Sequence, residues 1–125
     1  MKNTFVFGRS DYHYRHEPIL YGWKDDGAHY ITGDRTNDSV FEVDRPTHSE
    51  FHPTTKPVDL IRPMLENSST PGEIVFEPFS GSGSTILAAE QCGRHCRALE
   101  LDPGYVAVAI HRWSEATGQT ASRIE

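Results

Sequence analysis

The sequence predicts an α/β fold built on a parallel sheet, and three observations predict it. Residues 74–77, "IVFE", are apolar without interruption up to the final acid, the mark of a strand covered on both faces. The run ends on "PFSGSGST", whose glycines make a tight turn into a helix-prone stretch. Beyond it a second strand and a second helix follow. With the helix upstream, the order helix, strand, helix, strand, helix is that of a parallel sheet.

Taken in order, the chain divides near His52. The first part is rich in aromatics, histidine and turn residues, and it reads as a short β-rich arm. Strands are expected at 18–23, 29–32 and 39–43, joined by turns at 24–28 and 32–38. In 56–69, Val58, Ile61, Met64 and Leu65 share one helical face, and Pro63 should kink that helix or split it. From Ser84 the chain is helix-prone, with Gly93 as a natural stop. Residues 95–101 form the second strand. The last helix starts at Pro103, proline being favoured in a first turn, and Val106, Ala109, Ile110 and Trp113 line one face of it. The expected units are 1–51, the β-rich segment, then 52–117, the α/β part, then 118–125, a loose tail.

Composition narrows the function. The 125 residues suit one small domain with a modest core; 36% are hydrophobic and 24% charged. The net charge of −6 argues against self-sufficient binding to nucleic acid, which a basic face normally supplies. The longest apolar runs fall far short of the roughly 18 residues of a membrane span, and the N-terminus is no signal peptide. Two cysteines, Cys92 and Cys96, make no disulfide framework, so a cytoplasmic setting is expected. Zinc needs four ligands in paired spacings, which neither His13, His16 and Glu17 nor Cys92, His95 and Cys96 supply.

The glycine turn suits a ligand that approaches the backbone closely. A nucleotide P-loop needs lysine after the last glycine, where Ser84 stands. A dinucleotide fingerprint needs a third glycine, where Ile86 stands. S-adenosylmethionine has an ammonium and a ribose, each served by an acid at a strand end. Glu77 ends the first strand, and Glu100 closes the second, 17 residues after Gly83.

Three segments, "HPTTKPVDLI" (52–61), "VFEPFSGSGST" (75–85) and "ALELDPGYV" (98–106), together resemble the β-class DNA amino-methyltransferases, which make N6-methyladenine or N4-methylcytosine. The upstream "GRSDYHYRHEPILYGWK" is also similar to that family, so the resemblance covers nearly the whole chain. It implies a partial Rossmann-like, S-adenosylmethionine-dependent methyltransferase fold with the β-rich arm in front. It implies that Glu77, Pro78, Phe79, Gly81, Ser82 and Gly83 form the cofactor loop, with Glu77 where the family usually has aspartate. His52, Thr54, Thr55 and Lys56 would close over the methionine carboxylate. Glu100, with Leu101 beside it, would hold the ribose end.

The family's catalytic motif, [Asp/Asn/Ser]-Pro-Pro-[Tyr/Phe/Trp], has no match, because the sequence contains no Pro-Pro. "DPGY" (102–105) mimics it in outline but stands in the ribose-binding region. The expectation is therefore the C-terminal, cofactor-binding half of such an enzyme, inactive alone. It would act on double-stranded DNA with a polypeptide bearing Asp-Pro-Pro-Tyr, or self-associate, and no membrane is involved. Two alternatives stand beside it: a non-catalytic S-adenosylmethionine-binding subunit or remnant, and a nucleotide-binding oxidoreductase fragment.

Overall fold

The computed structural model describes residues 11–12, 16–27, 29–31, 36, 38–44 and 55–124. Five elements follow one another: α1 (Val58–Ser68), β1 (Ile74–Glu77), α2 (Ser84–Gln91), β2 (His95–Ala98) and α3 (Pro103–Thr117). The two strands are parallel, with Ile74 opposite His95 and Glu77 opposite Ala98. Backbone pairing runs past both ends of the ladder. Gly72 N–H donates to the Gly93 carbonyl at 2.7 Å, and Ser80 N–H to the Leu99 carbonyl at 2.9 Å.

α2 is the centre of the packing. Its Leu87, Ala88 and Ala89 are buried, together with Ala109 of α3. Small side chains let α1, β2 and α3 all approach this one helix. The helix begins after Gly83, in the left-handed region at φ 81°, and is closed at Gly93, φ 72°. α3 begins on Asp102, whose carboxylate accepts the Gly104 N–H at 2.7 Å, with Pro103 in the first turn.

Three expectations are corrected and one is narrowed. Of the two outcomes expected at Pro63, a kink or a split, the split does not occur: α1 is one element with Pro63 inside it. The bond that Pro63 cannot make would have gone to the carbonyl of Asp59, an exposed residue whose carbonyl water can satisfy. β2 ends at Ala98, not at 101, so Glu100 lies in the connection to α3. β1 is covered on one face only: Ile74 and Phe76 are 66% and 64% exposed. The sheet has two strands among the described residues, and the helices that pack here leave its other face bare. Finally, among the described residues no strand forms at 18–23, 29–31 or 39–43. Strand propensity alone does not make a sheet when no partner strand lies alongside.

Candidate functional site

The parallel pairing brings the two acids to one place. Leu99 N–H donates to the Glu77 carbonyl at 2.9 Å, which aligns the connection after β2 with the turn after β1. Glu100 then reaches across, and its carboxylate accepts the Gly81 N–H at 2.6 Å and the Asp102 N–H at 2.9 Å. The amides of Asp102 and Gly81, in that order, hold its carboxyl below the usual glutamate range. Glu77 curls over the same turn. Its two oxygens accept from Phe79 N–H and from Thr85 Oγ1, each at 2.9 Å. Each of these four carboxylate oxygens retains a lone pair beyond the bond just named.

A cleft of about 520 Å³ opens between α1, β1 and the glycine turn. Polar groups from Thr55, Lys56, Glu77, Ser82 and Thr85 face apolar ones from Ile61, Met64, Leu65 and Val75. That mixture, apolar walls with a few convergent polar groups, is the usual make-up of a small-molecule site. Glu100 stands outside the lining and joins it through Gly81.

The remaining expected site residues fall as follows. Thr55 Oγ1 lies 3.2 Å from Ser82 Oγ, joining the segment before α1 to the turn. Lys56 lines the cleft, while its ammonium is paired with Glu17. Gly81 has φ 55° with open space where a Cβ would be, whereas a Cβ on Gly83 would stand 2.7 Å from the Ala109 Cβ. Phe79 and Leu101 are 87% and 97% exposed, on the two connections that carry the acids, and Pro78 is exposed beside Phe79. His52 and Thr54 lie outside the described residues.

Other residues of the site escaped the sequence reading. Thr85 anchors Glu77, and Ser84 Oγ donates to the Lys56 carbonyl at 2.7 Å. Arg112, from the far end of α3, donates to the Ser82 carbonyl. Only its spacing, one turn beyond Ala109, could have put it on the face that meets the turn. Asp102-Pro103-Gly104 is occupied as the start of α3, with the Asp102 carboxylate on the Gly104 N–H. No group of three metal-ligating side chains occurs among the described residues. No helix among them is long and apolar enough to cross a membrane.

A family model described as DNA methylase, of the N6/N4 methyltransferase type, matches residues 2–111, and the chain belongs to that family. Among its relatives is the Type II methyltransferase M.Cfr9I of Citrobacter freundii, 32% identical over 86% of this chain and 34% of its own length. Another is the Type II methyltransferase M.XycI of Xanthomonas campestris pv. cyanopsidis, 34% identical with the same two coverages. The crystal structure of an M1.HpyAVI–SAM complex superposes with a TM-score of 0.57, at 26% identity, over 68% of this chain and 44% of that one. The fold is thus the partial Rossmann-like fold of the methyltransferases. The chain spans about a third of the length of the curated relatives it matches.

Proposed function

We propose that this chain is the S-adenosylmethionine-binding half of a DNA methyltransferase that acts on an exocyclic amino group, N6 of adenine or N4 of cytosine. One observation carries the reading: two carboxylates, Glu77 at the end of β1 and Glu100 in the connection after β2, are fixed by the same glycine turn beside a mixed polar and apolar cleft. The donor set fits the ligand. Glu77 offers spare lone pairs to the ammonium, and Glu100 offers them to the ribose hydroxyls. Thr55, Lys56 and, by resemblance, His52 and Thr54 serve the carboxylate of the amino-acid end. The exposed side chains of Phe79 and Leu101 give apolar surface for the purine, and the backbone of Pro78, Ser82 and Gly83 shapes the turn.

When bound, S-adenosylmethionine supplies an electrophilic methyl group. An exocyclic amino group is a poor nucleophile and needs acceptors on its hydrogens and an aromatic platform for the base. The sequence has no Pro-Pro, and the one similar run, 102–105, is used to start α3. The half that receives the flipped base therefore belongs to a second polypeptide bearing Asp-Pro-Pro-Tyr, or to chain beyond these residues. The cytoplasm, with double-stranded DNA as substrate, is the fitting setting for a protein whose two cysteines are unpaired.

Titration calorimetry of the 125-residue chain with S-adenosylhomocysteine and with NAD tests the assignment. S-adenosylhomocysteine should bind, Glu77→Gln should weaken it about tenfold or more, and NAD should give no heat. Preference for NAD would favour an oxidoreductase and overturn the reading. So would a Glu77→Gln protein that binds as well as the parent.

A further inference from the structure

Arg112 lies on α3, beyond the last of the motifs that define the site, yet its guanidinium ends against the glycine turn. The reason is a close helix-to-turn approach. Gly83 has no side chain, Ala109 has a small one, and the two meet so tightly that a Cβ on Gly83 would overlap Ala109. One turn further along the same face of α3, the guanidinium falls beside Ser82 and Ser84, both buried. A single nitrogen, Nη1, donates to the Ser82 carbonyl, lies 3.1 Å from Ser82 Oγ and makes a longer approach of 3.5 Å to Ser84 Oγ.

Each of those serines leads on to the segment before α1. Ser84 Oγ donates to the Lys56 carbonyl, so its lone pairs are turned towards the cation. Ser82 Oγ, accepting from Arg112, also lies 3.2 Å from Thr55 Oγ1, a bond in which either hydroxyl can donate. Two hydrogen-bonded branches thus start at one charge and end on adjacent residues, Thr55 and Lys56. Chains of this kind polarise one another and fix hydroxyl direction more firmly than isolated bonds do. The guanidinium is half-buried, and burial lowers its pKa from the usual arginine value, but an arginine does not lose its proton in proteins.

We infer that Arg112 is a positioning residue for the amino-acid end of the ligand, setting the Thr55–Lys56 segment against the glycine turn from α3. The inference rests on the S-adenosylmethionine reading above. It assigns a division of labour: Glu100 serves the nucleoside, and Arg112 acts through Ser82 and Ser84 on the part that holds the methionine carboxylate.

Two probe ligands separate this role from a merely structural one. S-adenosylhomocysteine carries the amino-acid end, and 5′-methylthioadenosine lacks it. In the 125-residue chain, Arg112→Met should weaken the first about tenfold or more and the second by less than about threefold. Arg112→Lys keeps a charge without the planar fork and should fall between parent and Arg112→Met. Ser84→Ala cuts the branch to Lys56 alone and should show the same selectivity, so the test survives if Arg112→Met does not fold. Folded Arg112→Lys and Ser84→Ala proteins that lose both ligands in equal proportion, or neither, would overturn the positioning role while leaving the ligand assignment intact. A parent chain that binds neither ligand would overturn the ligand assignment, and the positioning role with it.

Discussion

At the scale of single residues, the two glycines of the turn do different work. Gly81 and Gly83 both have positive φ, so a side chain at either is strained by about 1 kcal/mol. Only Gly83 also faces a neighbour, Ala109, whose Cβ and Cα would stand 2.7 and 3.1 Å from a new methyl group. Gly83→Ala should therefore cost about 2–4 kcal/mol, adding overpacking to the φ strain, and Gly81→Ala only about 1. Urea unfolding midpoints read the difference. Glu100 gives a second prediction. Its carboxyl is held below the ordinary glutamate value, first by the Asp102 amide and then by that of Gly81. A carboxylate with a folded pKa under the unfolded one contributes stability that is complete above about pH 4.3 and fades as pH falls through the depressed value. Glu100→Gln should thus remove part of the parent's loss of stability on the acid side of pH 4.3 and leave the slope above it unchanged. Stability measured against pH for both proteins checks this. Glu73, held low in the same way by the Thr70 amide and hydroxyl, supplies an acid-side dependence that the Glu100 variant keeps.

At the scale of elements, one buried side chain joins two helix ends. Arg94 donates from Nε to Ser69 Oγ at 3.2 Å, from Nη2 to the Ser69 carbonyl at 2.7 Å and from Nη1 to the Cys92 carbonyl. Ser69 is the C-cap of α1 and Cys92 that of α2, so one cation meets the negative ends of both helices. Arg94→Met should cost about 2–4 kcal/mol, because the caps lose a charged donor in a buried place. The same loss should loosen α1 against α2, read as faster amide exchange in the last turn of α1. These elements also show what the sequence could convey. The limits of β1, α2 and α3 were legible because each is marked by local chemistry: an acid after an apolar run, glycines at φ 81° and 72°, and Asp102-Pro103 as a helix start. The placement of Glu77 and Glu100 at the turn was legible for the same reason, as acids at set distances from its glycines. Arg94, Thr85 and Arg112 were not, since their partners are set by packing between elements that the sequence does not align. The strands expected at 18–23 and 39–43 are absent for a related reason: their composition is strand-like, but a strand exists only through its neighbour.

At the scale of the molecule, the main fact is a two-stranded sheet, among the described residues, with one face bare. Ile74 and Phe76 expose apolar surface on one face, and both strands of the two-stranded ladder are edges among the described residues. Such edges and patches take partners. Joined to a chain that spans a third of its relatives' length, this predicts that the protein alone transfers no methyl group to DNA. The net charge of −6 points the same way, because an acidic chain holds a duplex poorly at physiological salt. Transfer of a labelled methyl group to mixed-sequence DNA should be absent with the purified chain. It should appear when a polypeptide bearing Asp-Pro-Pro-Tyr from a family member is added. Turnover by the chain alone, lost in Asp102→Ala or Tyr105→Phe, would make 102–105 catalytic and the half-enzyme account wrong.

The central claim is that the glycine turn and its two acids hold S-adenosylmethionine, and amide chemical shifts test it most directly. Titrating S-adenosylhomocysteine into the nitrogen-15-labelled chain should move the amides of Thr55, Lys56, Phe79, Gly81, Ser82, Gly83 and Leu101, and leave the last turn of α3, away from the cleft, unchanged. Saturable shifts confined to some other face, or none at all, would contradict the account.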